Sequence, residues 1–155
     1  MTSLASHRSR RIRTYLTAAA AIVVLAAGGV FVATRDRSSN DGTAVALEAG
    51  PLGPGASGTA HVKRFQSGWR IMLDATGLPR LADGQFYEAW LKDANGVLVP
   101  IGTFNEGADV VLWAGVSPVQ FPTLTVTKEL ADGNQDSSKQ LVLSGTITLD
   151  DAATS

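Results

Sequence analysis

The sequence predicts an all-β fold, an antiparallel β-sandwich of about eight strands preceded by one N-terminal transmembrane helix. Three observations carry that prediction. Residues 14–34 contain no charged side chain. Beyond them, apolar residues recur at every second position in short segments, the periodicity of half-buried strands. Gly, Pro, Asn and Asp interrupt those segments at the short intervals of an all-β domain, and no stretch has the period of an amphipathic helix.

Taken in order, residues 1–13 form a basic tail with Arg8, Arg10, Arg11 and Arg13, and too few residues to fold, since a chain below roughly 40 residues needs staples. Residues 16–32 are almost entirely Ala, Val, Ile, Leu, Gly and Phe, and at about 1.5 Å per helical residue the 14–34 run is long enough to span a bilayer core of about 30 Å. Only Arg35 and Arg37 follow closely, so the positive-inside bias places the N-terminus in the cytoplasm and the rest of the chain outside. The expected location is therefore the cell membrane, as a single-pass protein. A cleaved secretory signal is the rival reading, with Ala26 and Gly28 as small residues near a cleavage point. The apolar run continues through Val30, Phe31 and Val32, longer than a signal needs, and this favours an anchor. Residues 35–42 (RDRSSNDG) are polar and unpatterned and read as a tether. The folded domain is expected over 43–151, followed by a disordered C-terminus at 152–155.

Within that domain the expected strands are 44–48, 59–64, 68–74, 86–91, 97–104, 109–114, 123–128 and 140–149. Between the first two, residues 50–58 (GPLGPGASG) are too rich in Gly and Pro for a regular element. Trp69, Ile71 and Leu73 share one face of the third strand, and Leu141, Leu143, Ile147 and Leu149 are assigned inward on the last. Residues 86–91 are apolar on both faces apart from Glu88, which suits a central strand. Asn95-Gly96 predicts a type I′ hairpin turn, and Pro100 in the following arm predicts an edge strand or a bulge. Trp69, Trp90 and Trp113 are all assigned to the core.

The chemical inventory is thin. There is no Cys, which removes disulfides, thiolate nucleophiles and cysteine-based metal sites. Beyond Thr34 nine basic residues face fourteen acidic ones, a balance of −5, so no phosphate-binding patch and no nucleic-acid partner are expected. His7 lies in the basic tail, leaving His61 as the single imidazole of the outer domain, with no G-x-S-x-G elbow and with Ser144-Gly145 inside a strand. A triad on His61 is accordingly a weak reading. Glu88, Glu129, Asp74 and Asp109 are the carboxylates from which a glycosidase-type pair would have to come, but outward acids on strands more simply keep a domain soluble. Asp132-Gly133-Asn134-Gln135-Asp136 has alternate oxygen donors yet lacks the terminal Glu of a calcium loop, and reads as a turn. No catalytic, cofactor or metal residue is assigned, no cofactor is expected, and the residues do not identify a small-molecule ligand.

Gly77-Leu78-Pro79, Gly84-Gln85-Phe86-Tyr87-Glu88-Ala89-Trp90-Leu91, Asn95-Gly96, Ile101-Gly102-Thr103-Phe104, Leu124-Thr125-Val126-Thr127-Lys128-Glu129 and Leu141-Val142-Leu143-Ser144-Gly145 stand in an order and spacing that resemble the extracytoplasmic C-terminal domain of anti-sigma-K factors. The resemblance spans residues 43–149. It implies a non-enzymatic, membrane-anchored regulatory domain of bacteria in which Tyr87, Trp90, Leu124 and Val126 fill the fold and Gly102 and Gly145 relieve crowding. Residues 1–13 supply neither a folded sigma-binding domain nor the His-x3-Cys-x2-Cys pattern of zinc-type anti-sigma domains, so a separate anti-sigma or sigma-regulatory protein is the expected partner. A cell-envelope adhesion or scaffold module is the alternative, and a hydrolase on His61 or a carboxylate pair the remote one.

Overall fold

The computed structural model describes residues 42–149. The expected helix at 14–34, most of the tether and the C-terminal tail lie outside the described residues. Eight strands follow in order: β1 (Thr43–Ala49), β2 (Ser57–Phe65), β3 (Gly68–Thr76), β4 (Gln85–Lys92), β5 (Leu98–Phe104), β6 (Val110–Ala114), β7 (Thr123–Leu130) and β8 (Leu141–Thr146). No helix long and apolar enough to cross a membrane occurs among the described residues.

The predicted two-sheet sandwich is replaced by one antiparallel sheet in the order β5-β4-β7-β8-β1-β2-β3-β6, curled until its outer strands β5 and β6 come together as a nearly closed barrel. The joint is β1. Its residues 43–47 pair with β2, whereas Glu48 and Ala49 pair with Ser144 and Leu143 of β8. One strand thus serves both halves, which a reading of separate strand patterns does not foresee. Gly145 permits the handover, because a Cβ at that position would lie 2.4 Å from the carbonyl oxygen of Ala46. Gly102 has the second role expected of it at the closing seam, where a Cβ would meet Leu112 Cδ2 at 2.9 Å.

Alternation along the strands fills the interior. Trp69, Ile71 and Leu73 of β3 face Ala114, Leu112 and Val110 of β6 across the pairing, so the largest ring meets the smallest partner. Tyr87, Ala89 and Leu91 of β4 and Leu124 and Val126 of β7 supply the other half of the core. Each such side chain taken out of water contributes about 1.5–3 kcal/mol for the larger ones. The Tyr87 hydroxyl reaches out of this apolar layer to donate to the Pro79 carbonyl at 2.8 Å, tying down the β3–β4 connection whose Leu78 and Leu81 pack on the core.

Two bulges break the simple alternation. Opposite Ala89 and Trp90 the partner register runs Gly102 then Pro100, so Ile101 is the extra residue, and Pro100 sits on a strand at the end of the sheet order as its missing N–H requires. In β8 the register jumps from Leu143 to Leu141 opposite Val126 and Thr127. Val142 is therefore inserted and buried, and Leu141 is half-buried where it was expected inward. Residues 147–149 continue without strand pairing, although Ile147 stays buried.

The β4–β5 hairpin differs from the predicted type I′ turn. Gly96 N donates to the Asp93 carbonyl at 3.2 Å, Asp93 N to the Val97 carbonyl at 3.1 Å, and only Gly96 has positive φ, at 90°. This is a three-residue loop, a type I turn closed by a glycine bulge. Asp93 selects it, since its Oδ1 accepts the N–H groups of Asn95 at 2.9 Å and Val97 at 2.8 Å. Replacing Gly96 by Val, whose Cβ is disfavoured at positive φ, is expected to lower stability by about 1 kcal/mol in urea unfolding. An unchanged midpoint would contradict this turn geometry.

Candidate functional site

On the outward face of β4 and β7, the register sets Phe86 opposite Glu129, Glu88 opposite Thr127 and Trp90 opposite Thr125. Thr125, Thr127 and Glu129 are the buried polar residues of the described region, and Trp90 is buried beside them but outside the apolar core cluster. Trp90 Nε1 donates to Thr127 Oγ1 at 2.8 Å, and Thr127 Oγ1 donates in turn to Glu129 Oε1. Ser138 N donates to both carboxylate oxygens of Glu129, at 2.9 and 3.1 Å, and Ser138 Oγ donates to the Lys128 carbonyl at 2.8 Å. The chain of donors therefore fastens the 131–140 loop over the end of β7. A shallow cavity of about 240 Å³ lies there between Gln85, Glu129, Asn134 and Gln140.

Burial first, and the negative charge of Glu129 second, push the Glu88 carboxyl above its ordinary value of 4.5. The sign follows directly. A carboxyl with a raised folded-state pKa costs stability at neutral pH, and that cost disappears as the pH falls through the raised value toward 4.5. Asp93 has the opposite sign: the Val97 N–H foremost holds it below 3.8, so its contribution is present above 3.8 and is lost as the pH falls through the lowered value. Glu88→Gln is expected to raise the urea midpoint at pH 7, by less than about 1 kcal/mol because the group is half-exposed and screened. The gain should fade as the pH approaches 4.5. A destabilised variant at pH 7 would show that the Glu88 charge has a favourable partner instead.

The structure brings the four candidate carboxylates together as two separate pairs. Glu88 and Glu129 share the β4–β7 face, while Asp74 Oδ1 accepts the N–H of Asp109 at 3.2 Å at the end of β3. Glu129 has both oxygens occupied by donors of its own chain, Thr127 Oγ1 and Ser138 N. His61 sits on β2 opposite Ala44 and Met72, its Nδ1 buried without a hydrogen-bond partner among the described residues. Ser144 lies on β8 opposite Glu48 and Thr125, with β1 in between, so no triad is assembled from them. In the 132–136 segment, Asp132 Oδ1 accepts Asn134 N at 2.9 Å and Asn134 Oδ1 accepts Asp136 N at 3.0 Å. Those are successive Asx turns, the geometry of the plain turn. Among the described residues no three His, Asp or Glu side chains converge as a metal site.

The tryptophans separate into three environments. Trp69 is core and Trp90 belongs to the polar outward cluster, but Trp113 is 49% exposed, correcting its assignment to the core. Val110-Val111-Leu112-Trp113-Ala114 is apolar in both phases, and pairing with β3 selects Val110, Leu112 and Ala114 as the inner set. Trp113 then stands outside opposite Arg70, with Phe65 at 5.5 Å edge-to-face and the Arg70 guanidinium 4.9 Å over the Phe65 ring. This aromatic and cationic patch was not singled out from the sequence. Its signal was present in the shared outward phase of Lys63, Phe65 and Arg70.

The fold and these two outer faces define a small antiparallel β-barrel domain with a polar, loop-fastened cluster on one side and an exposed aromatic patch on another. Residues 15–141 match the family described as anti-sigma-K factor rskA, C-terminal, and the chain belongs to that family. The membership supports a regulatory role of the anti-sigma type. No curated protein and no solved structure matches the chain significantly.

Proposed function

We propose that this chain is the outer half of a single-pass membrane regulator of sigma-factor activity, acting by binding rather than by catalysis. Residues 14–34 are the span, the arginine-rich N-terminus is cytoplasmic, and the barrel stands on the far side of the membrane. The observation that carries the reading is the family match, which begins at Tyr15 inside the charge-free run and continues through the barrel to Leu141. The commitment of Glu129 to loop contacts supports binding over hydrolysis, because a catalytic carboxylate needs an oxygen free for substrate.

The partner is a separate anti-sigma or sigma-regulatory protein. Affinity capture of the full chain from detergent-solubilised membranes tests this, with enrichment of such a protein as the expected result. Capture of cell-wall or adhesion proteins alone would replace regulation with a scaffold role. Protease shaving of intact cells tests the topology: the barrel should be removed, and a protected barrel would overturn the N-in orientation.

A further inference from the structure

The two ends of the barrel are chemically unlike. Antiparallel pairing collects at one end the start of β1, the β2–β3 turn at residues 66–67, the 93–97 hairpin and the 115–122 loop. Phe65, Val97, Trp113 and Val119, four of the seven exposed large apolar side chains of the described region, lie at this end. Arg64, Arg70 and Lys92 lie there too, and among the described residues the one carboxylate at this end, Asp93, is turned back onto its own hairpin. Among the described residues neither Arg64 nor Arg70 has a carboxylate within salt-bridge distance; their guanidinium groups lie over the rings of Trp69 and Phe65. Among the described residues the opposite end carries eight carboxylates, from Glu48 on β1 to Asp136 in the 131–140 loop, against Arg80, Lys128 and Lys139.

The chain enters the barrel at the basic, apolar end: a Cβ on Gly42 would lie 2.7 Å from the Val62 carbonyl and 3.3 Å from Lys63 Cβ. Only residues 35–42 separate this point from the charge-free run. Eight residues reach at most about 29 Å even when fully extended, so the entry point of the barrel stays within that distance of the charge-free run. Exposed Trp and Phe set among Lys and Arg are the side chains that settle at a bilayer interface, the rings at headgroup depth and the cations against anionic lipid.

We propose that this end of the barrel docks on the bilayer surface, with Phe65, Val97, Trp113 and Val119 at the headgroup boundary and Arg64, Arg70 and Lys92 against anionic phospholipid headgroups. The acidic end then faces away from the membrane and is left open to a partner. The inference rests on the anchor reading of residues 14–34.

Trp113 is the built-in reporter, since Trp69 and Trp90 are buried. The full chain is reconstituted into vesicles of brominated phosphatidylcholine, with and without phosphatidylglycerol, and Trp113 emission is taken as the difference between the wild type and Trp113→Phe. The expected result is quenching of Trp113 by the brominated lipid when phosphatidylglycerol is present, and loss of that quenching at about 1 M salt, where the Debye length is about 3 Å. The salt and lipid dependence of the wild type alone gives the same readout should Trp113→Phe fail to fold. Vesicles that float with the chain while Trp113 stays unquenched overturn docking and leave the anchor standing. Quenching that is equal in both lipids and indifferent to salt overturns the role of the cations. A chain that does not float with vesicles of either kind overturns the anchor, and the docking with it.

Discussion

Gly145→Val should destabilise the domain by about 3 kcal/mol, the upper range for forcing added atoms into a packed site. The position is not a turn. A Cβ there would lie 2.4 Å from the Ala46 carbonyl oxygen and 3.2 Å from Leu47 Cγ, and the nearer contact is backbone that cannot rotate aside. Relief requires β1 to move away from β8, yet β1 is the strand that joins the two halves of the sheet through Glu48 and Ala49. The damage therefore falls on closure of the barrel, not on one contact. Urea unfolding should show a lower midpoint with an unchanged slope if the native barrel persists, and a reduced slope if the β1–β8 seam opens. Gly115→Ala is the control, because nothing lies within 4 Å of its added Cβ. It should fall within about 0.5 kcal/mol of the wild type. Equal effects at the two positions would refute the close-approach argument.

Strand existence was legible in the sequence because period-two burial is a local property. All eight expected segments are strands, and Trp69, Ile71 and Leu73 face the core as the alternation requires. Pro100 announced its edge position by lacking a donor, and β5 is indeed at the end of the sheet order. What was not legible depends on contacts between distant segments. The choice between two sheets and one rests on whether β1 pairs with both β2 and β8, and nothing within residues 43–49 states that. The exposure of Trp113 follows from its pairing with Arg70, since Val110-Val111-Leu112-Trp113-Ala114 could bury either phase. Leu141 was misplaced by one inserted residue, and a single bulge reverses the facing of everything beyond it.

The site was only partly legible, for a related reason. Glu88 and Glu129 were visible as acids in outward phase, and the structure sets them on one face. The partners of Glu129 could not be read, because Ser138 reaches it through a loop whose sequence looks like any polar turn. Asp93 was hidden by the familiar Asn95-Gly96 signal beside it, although its side chain decides the turn type.

Thr127→Val tests whether the outward cluster is a cooperative unit. Valine keeps the shape of threonine and the β-branching a strand favours, so the change removes a hydroxyl and little else. That hydroxyl accepts from Trp90 Nε1 and donates to Glu129 Oε1, both within a buried setting. Its loss leaves an indole N–H without a partner and a carboxylate with one donor fewer, together expected to cost about 2–3 kcal/mol. Trp90→Phe in the same background supplies the missing leg of a double-mutant cycle: with no indole donor left to orphan, Thr127→Val should become milder by about 1 kcal/mol. The 131–140 loop supplies an independent readout, because Ser138 ties it to Glu129 and the Lys128 carbonyl. A weakened Glu129 should expose that loop to proteolysis before the barrel itself unfolds. Additive effects of the two substitutions, with a loop no easier to cut, would mean that Trp90, Thr127 and Glu129 act as separate contacts and that the loop is held by something else.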